Sequence, residues 1–331
     1  MHSYEDKCEE LKADIVVIGS GPGGAITGAL LAEAGRNVML IEEGCHLSLE
    51  SAPHYSQEEL SQKYRNGGIT VGMGPAKVTY IEGRCVGGGS EVNRGLYHRA
   101  PPEILETWQR EYHVDGLLEE DLKAHFEAIE QAYVAQLPVN APPTSLKLHE
   151  GAVKLGWKSI EVPRLVKYSV KDQRVEASVK QSMTETYIPR MLKAGGRLMP
   201  NTRARRLMRV NGRWRIQVER DDSQARQTLD IYARTVFVSC GAVQTPALLR
   251  RSGFKRCVGQ SLAFHPMIKV IAQFPDEMNL PGMLDPIHQV KEFDPRFSMG
   301  CSVSSRPLLA LTMMDHPKHL ANVQHEYKHM G

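Results

Sequence analysis

The stretch from Ala13 to Gly44 constrains this chain more than any other. "ADIVVI" (Ala13 to Ile18) is a short, largely apolar run of the kind found in strands buried on both faces. It ends in "GSGPGG" (Gly19 to Gly24). "AITGALLAEAG" follows and reads as a helix closed by Gly35, and "NVMLIEEG" reads as a second buried strand. Strand, glycine turn, helix and strand within about thirty residues make a βαβ unit. A chain that begins this way is predicted to be α/β, with a parallel sheet covered by helices.

Gly19, Gly21 and Gly24 form G-x-G-x-x-G, and Gly23 adds a fourth glycine. The motif gains weight from its setting, since a strand precedes it, a helix follows, and an acid closes the second strand. The first glycine permits the tight turn, the second lets a pyrophosphate reach the backbone, and the third lets helix and strand pack closely. The helix N-terminus then offers free N–H groups and the positive end of its dipole to the phosphates. Glu42 lies 18 residues after Gly24, where a ribose-binding carboxylate belongs, and its neighbour Glu43 reads as solvated. The pattern alone leaves NAD and FAD open. An acid at Glu42 disfavours the extra phosphate of NADP, and a position at the start of the chain leans towards FAD.

The rest of the chain reads as a globular protein. Of 331 residues, 41% are hydrophobic and 24% charged, enough to bury a core. The net charge of +3 gives no reason to expect a nucleic-acid or membrane-surface partner. The single basic run, "NTRARRLMRVNGRWR" (Asn201 to Arg215), reads as a solvated face of strands. Cys8, Cys45, Cys85, Cys240, Cys257 and Cys301 are widely spaced without a C-x-x-C pair, which points to a reducing, cytoplasmic compartment. The first residues lack the basic and apolar regions of a secretory signal, and no apolar run is long enough for a spanning helix. Helices are predicted for "ILETWQREY", "EEDLKAHFEAIEQAYV", "LKLHEGAVKLG" capped by Ser145, "TETYIPRMLKAGG" and "AVQTPALLRRSG". "VPRLVKYSV" reads as extended. "RRLMRV", "RWRIQVER", "TLDIYARTVFVSCG" and "MIKVIAQF" read as strands.

A second glycine cluster, "GRCVGGGSEVNRGLYHRAP" (Gly83 to Pro101), carries a further message. Glycine is costly to order, so a cluster means that the backbone must bend sharply or approach something closely. With this stretch the sequence resembles the glucose–methanol–choline (GMC) flavin oxidoreductases. Four stretches in the family's order carry the resemblance: "ADIVVIGSGPGGA" with "VMLIEEG"; this glycine cluster; "GAVQTPALLRRSG", followed by Phe254 and Lys255 where the family has an aliphatic residue and glycine; and "VGQSLAFHP" (Val258 to Pro266).

The resemblance implies a Rossmann-like FAD-binding domain built from residues 1–110 and 196–265. An incomplete α+β substrate domain would come from residues 111–195 and 266–331. It implies FAD contacts from Gly87, Gly88, Gly89 and Ser90, with Asn93 and Leu96 near the flavin ring, Ala204 at the adenine, and Gly241 at a second phosphate or ribose contact. Arg84 either approaches the phosphates or pairs with a carboxylate. Arg94, larger than the residue expected there, narrows the site or points away. Tyr97 and Arg99 read as structural. Val92 stands where some members carry a histidine bonded to FAD, so the expected attachment is non-covalent.

The activity implied is oxidation of a small-molecule alcohol at its CH–OH group, with hydride passing to flavin N5. Neither the alcohol nor the electron acceptor is written in the residues. The family's base, a histidine with a second histidine or asparagine, lies in a His-Pro-x-Gly-Thr-like stretch and a later segment. His316-Pro317 is not followed by Gly-Thr, and His265-Pro266 belongs to the earlier segment. The expectation is therefore a C-terminally truncated portion, itself inactive, with no catalytic residue of its own. His325 and His329 share a spacing that one helix face would bring together, yet they read as a hydrated surface and not as a metal site. Two readings compete with the enzyme: a flavin-binding module without catalysis, and an NAD-dependent dehydrogenase sharing only the βαβ unit.

Overall fold

The computed structural model describes residues 11–53, 56–74, 78–132, 135–137, 140–172, 174–222, 225–279, 285–301, 306–313, 318 and 322–331. The chain divides into two compact units, Met1–Asn93 with Ser182–Pro266, and Arg94–Gln181 with Met267–Gly331. The domain bounds implied by the family resemblance put the crossings near residues 110, 195 and 265. The helix Pro102–Tyr112 goes with the second unit, and the helix Tyr187–Lys193 goes with the first.

The first unit is built on a six-stranded mixed sheet. Its elements are β1 (Leu11–Ile18), α1 (Pro22–Glu33), β2 (Val38–Ile41), α2 (Tyr187–Lys193), β3 (Arg197–Met199), β4 (Thr202–Val210), β5 (Arg213–Asp222), β6 (Ala225–Val238) and α3 (Gly241–Arg251). The strand order is β4-β5-β6-β1-β2-β3. β6, β1, β2 and β3 run parallel, while β4 and β5 extend the sheet antiparallel from β6.

Alternation along the central strands explains the two layers that cover this sheet. Val16, Ile18, Met39, Ile41, Leu207, Ile216, Val218 and Ile231 form one buried cluster, which Leu248 of α3 joins. The small face of α1, made of Gly24, Ala25, Gly28, Ala29 and Ala32, is buried. A Cβ on Gly28 would stand 3.0 Å from the sulfur of Met191 on α2 and 4.0 Å from a methyl of Val38. The small residues of α1 thus let it lie close to the sheet with α2 beside it.

The basic run Asn201 to Arg215 is not an open cationic patch. Arg203 pairs with Glu43 at 3.4 Å, Arg205 pairs with Glu219, and Arg215 meets Asp230 at 2.6 Å. Three of the run's six arginines thus face an acid, and Arg209 lies over the Trp214 ring.

The second unit holds short antiparallel sheets and helices. One sheet orders Met299–Gly300, His288–Val290 and Ser159–Glu161; another orders Ala135–Gln136, Arg164–Lys171 and Arg174–Lys180. Tyr97 and Arg99 share one acid as partner. Tyr97 donates to Glu130 at 2.7 Å, and the Arg99 guanidinium grips the same carboxylate with two 2.7 Å bonds. Arg94 turns to Asp285, 3.2 Å away.

Three local expectations need correction. Ser145 does not cap its helix, which starts earlier, at Pro143, a residue whose fixed φ suits the first turn. Ser145 is instead buried inside the helix and bonds His288 Nδ1 at 2.9 Å. "MIKVIAQF" (Met267 to Phe274) forms no strand; Gln273 makes one isolated bridge to Met330. Met267, Ile268 and Val270 are strongly exposed, because no ladder partner meets them among the described residues and apolar β-propensity needs one to act on. His325 falls in the short helix Val323–Glu326 and His329 in the 3₁₀ turn Tyr327–His329, while His316 and His319 lie outside the described residues.

Candidate functional site

β1, β2 and β6 are in register at their carboxyl ends, where Ile18 pairs with both Ile41 and Val238. Three loops therefore leave the sheet at one edge: Gly19–Gly21, Glu42–Gly44 and Ser239–Gly241. This is the edge at which open α/β sheets bind ligands. A cavity of about 930 Å³ lies there, within the first unit. Its size is near the upper end for small-molecule sites, which run to roughly 1,000 Å³.

Gly19, Gly21, Gly23, Glu42, Gly88, Gly89, Asn93, Ala204 and Gly241 all line this cavity. A Cβ placed on Gly21, Gly89 or Gly241 would meet no protein atom within 4 Å. The bare backbone at these points faces open space, which is what a cofactor lying along main chain requires. The amides of Gly23 and Gly24 sit in the first turn of α1, where no intrahelical acceptor exists, the arrangement with which helix N-termini bind anions.

The other expected contacts are not among the residues that line the cavity. Gly24 is packed beneath the turn, where a Cβ would fall 1.8 Å from the carbonyl oxygen of Gly19. Ser90 is buried; it donates to the Gly87 carbonyl at 2.7 Å and accepts from the Met183 amide at 3.0 Å. Gly87 has a positive φ of 92° and sits over the Glu91 carboxylate. Arg84 takes the carboxylate alternative, meeting Glu43 at 3.0 Å with its side chain half exposed. Leu96 belongs to the second unit, where it forms an isolated bridge with Arg164.

The two glycine clusters meet through a residue the sequence reading passed over. Ser20 is fully buried. Its hydroxyl donates to Glu42 Oε2 at 2.7 Å and accepts from the Gly87 amide at 3.0 Å, and its own amide donates to Glu42 Oε2 at 2.9 Å. Gly44 N–H donates to the other carboxylate oxygen at 3.0 Å. Glu42 therefore organises three backbone segments as well as lining the cavity. Burial pushes its carboxyl upward, and the donors from Ser20 and Gly44 oppose that push. No short-range signal marks Ser20, because its partner in the second cluster is 67 residues away.

Glu43 is not solvated as its sequence neighbourhood suggested. It stands 2.7 Å from Arg65, 3.0 Å from Arg84 and 3.4 Å from Arg203, and its side chain is mostly buried. Burial alone would raise its carboxyl, but Arg65, Arg203 and Arg84 outweigh burial and hold it below the usual carboxylate range. Arg65 and Arg203 also line the cavity. A carboxylate lowered on folding contributes stability above its unfolded value of about 4.3, and that contribution fades as pH falls through the folded value. Urea midpoints of the parent and Glu43→Gln should differ at neutral pH and converge below about pH 4. A gap that persists into acid would show that the charge on Glu43 is not what stabilises.

Among the described residues, no helix is long and apolar enough to cross a membrane.

Comparison with known proteins agrees with this geometry. Residues 17–76 match the NAD(P)-binding Rossmann-like domain. A GMC-type oxidoreductase of Sinorhizobium fredii is 33% identical over 315 residues, covering 92% of this chain and 62% of the relative. A long-chain-alcohol oxidase of Arabidopsis thaliana is 24% identical over 291 residues, covering 84% of this chain and 40% of the relative. Among solved structures, pyridoxine 4-oxidase from Mesorbium loti superposes with a TM-score of 0.53 at 18% identity, over 73% of this chain and 52% of that one, a likeness of fold. The chain thus spans between two fifths and two thirds of the length of these proteins. Residues 60–267, well over half of the chain, match the family described as GMC oxidoreductase, and this stretch contains the second glycine cluster whose amide at Gly87 is tied to the first through Ser20; the chain belongs to the GMC oxidoreductase family.

Proposed function

We propose that this chain carries the FAD-binding part of an oxidoreductase that acts on the CH–OH group of a small-molecule alcohol. The observation that carries the reading is the joining of the two glycine clusters at the carboxyl edge of the sheet, around one large cavity with bare backbone on its walls. The first unit is the FAD-binding domain and the second contributes part of the substrate domain. Bound in the cavity, FAD would supply the hydride acceptor.

The chain's own residues bind and orient. The first-turn amides of α1 face the pyrophosphate, and Glu42, at the cavity wall, is placed for a ribose hydroxyl. Gly88 and Gly89 let the main chain lie against the cofactor, and Ala204 and Gly241 close the adenine side. Asn93 lies at the wall beside Val92, and Val92 offers no nucleophile for a covalent link to FAD. Arg65 and Arg203 line the cavity beside their partner Glu43, and their guanidinium groups are placed to donate to a cofactor phosphate.

The test is direct. Purified chain should carry FAD that is released intact by acid denaturation, and the flavin absorbance should bleach when a long-chain alcohol or choline is added without oxygen to a form that extends over the relatives' full length. A colourless chain that binds NADH in place of FAD would overturn the cofactor assignment. Flavin that stays with the denatured chain would overturn the non-covalent one.

A further inference from the structure

Cys45 and Cys85 are brought side by side by the fold, far apart in sequence. Cys45 follows β2 and Cys85 precedes the Gly87–Gly89 run, and the two residues pair in an isolated parallel bridge. The Val86 amide donates to the Cys45 carbonyl at 3.0 Å. The backbones are pressed together here, since a Cβ on Gly44 would stand 2.4 Å from the Arg84 carbonyl and the Cys85 nitrogen. Registered strand neighbours lie about 4.8 Å apart and send their side chains to the same face. That spacing is inside the roughly 4.4–6.8 Å Cα range of disulfides. Both thiols are free, Cys45 partly exposed and Cys85 buried.

We propose that Cys45 and Cys85 are a modification site, a thiol pair that hydrogen peroxide closes into an intrachain disulfide beside the cavity. The exposures set the order of events. Peroxide reaches Cys45, whose thiolate attacks one peroxide oxygen and becomes a sulfenic acid as water leaves. The Cys85 sulfur then displaces the hydroxyl from Cys45, a second water leaves, and the S–S bond forms. Two thiols lose two hydrogens and two electrons, and one peroxide becomes two waters.

Burial, with Glu91 and Glu42 nearby, pushes the Cys85 thiol up, so Cys85 is not the first target, and it must give up its proton as its sulfur resolves the Cys45 sulfenic acid. Cys240 and Cys301 direct their thiols to the carbonyls of Ile18 and Thr144, and Cys257 is exposed without a cysteine beside it in any bridge. A bond from Cys45 to Cys85 would pin the loop that carries Gly87–Gly89 to the segment Glu42–Cys45 that follows β2. The inference depends only on these backbones and stands whether or not FAD is the cofactor.

The experiment treats the full chain with a few equivalents of hydrogen peroxide, alkylates the remaining thiols in denaturant, and digests with trypsin without reductant. The expected product joins peptide 37–63 to peptide 85–94, with the mass of two hydrogens lost, in the majority of chains. Dithiothreitol should abolish it, Cys257→Ser should retain it, and Cys45→Ser should remove it while leaving Cys85 alkylatable. The proposal is overturned if Cys45 accumulates as an unlinked sulfinic acid with Cys85 still reduced, or if peptide 37–63 joins a different cysteine peptide. It is equally overturned if Cys85 is oxidised as fast in Cys45→Ser as in the parent.

Discussion

Gly88→Val is expected to strip the chain of FAD while leaving much of its fold in place. Gly88 has φ 54° and ψ −133°, a combination essentially confined to glycine. A Cβ there would also stand 2.9 Å from the Cα of Gly21 and 3.2 Å from its nitrogen. Both are backbone atoms of the first glycine turn, so neither yields as the tip of a flexible side chain would. Strain of about 1–3 kcal/mol at the residue adds to the clash. The loop relieves both by moving off Gly21, which opens the wall on which the cofactor lies. At about 1.4 kcal/mol per factor of ten, FAD affinity should fall by at least about a hundredfold. Flavin absorbance after gel filtration reads the loss, and circular dichroism reads the fold. Gly89→Ala is the informative companion, because a Cβ there meets no protein atom and projects into open space. It should weaken FAD without disturbing the chain. Gly88→Val retaining FAD as well as the parent would remove the contact assignment.

The second large effect falls on stability. Glu42→Ala removes the acceptor for the Ser20 amide, the Ser20 hydroxyl and the Gly44 amide, all at a place where water does not reach Ser20. Each such bond contributes about 0.5–1.5 kcal/mol, and donors left buried without a partner add about 1–3 kcal/mol of desolvation cost. Because the three share one carboxylate and relax together, a net loss of about 3–5 kcal/mol is expected. That corresponds to a fall in Tm of roughly 10 °C or more for a unit of this size. Glu42→Gln should lie between, since its amide must turn an N–H towards either the Ser20 donors or Gly44. Thermal and urea unfolding of the three proteins measures the order. A Glu42→Ala chain as stable as the parent would mean that the carboxylate serves a ligand alone.

Much of this protein was legible from local pattern. The βαβ unit announces itself because its cues are short-range: an apolar run, a glycine turn and a helix with a small-residue face, all inside Leu11–Ile41. The strands β4, β5 and β6 and the helix α3 were readable for the same reason. Where the reading went astray, a partner outside the window decided. Met267 to Phe274 has the composition of a strand and lacks a ladder to join among the described residues. Ser145 has the chemistry of a cap, yet its hydroxyl faces His288, 143 residues away.

The sequence by itself determined that a dinucleotide turn exists, that a second glycine cluster must approach something closely, and that the two occur in the order of one oxidoreductase family. Only the tertiary structure decided that they approach each other. The Ser20 hydroxyl bridges Gly87 to Glu42, Glu43 draws in Arg65, Arg84 and Arg203, and Cys45 comes to lie beside Cys85. The physical reason is range. Glycine freedom and apolar periodicity act within a turn or two of chain. Hydrogen bonds, ion pairs and thiol proximity depend on which loops the sheet delivers to one edge, and the in-register ends of β1, β2 and β6 set that.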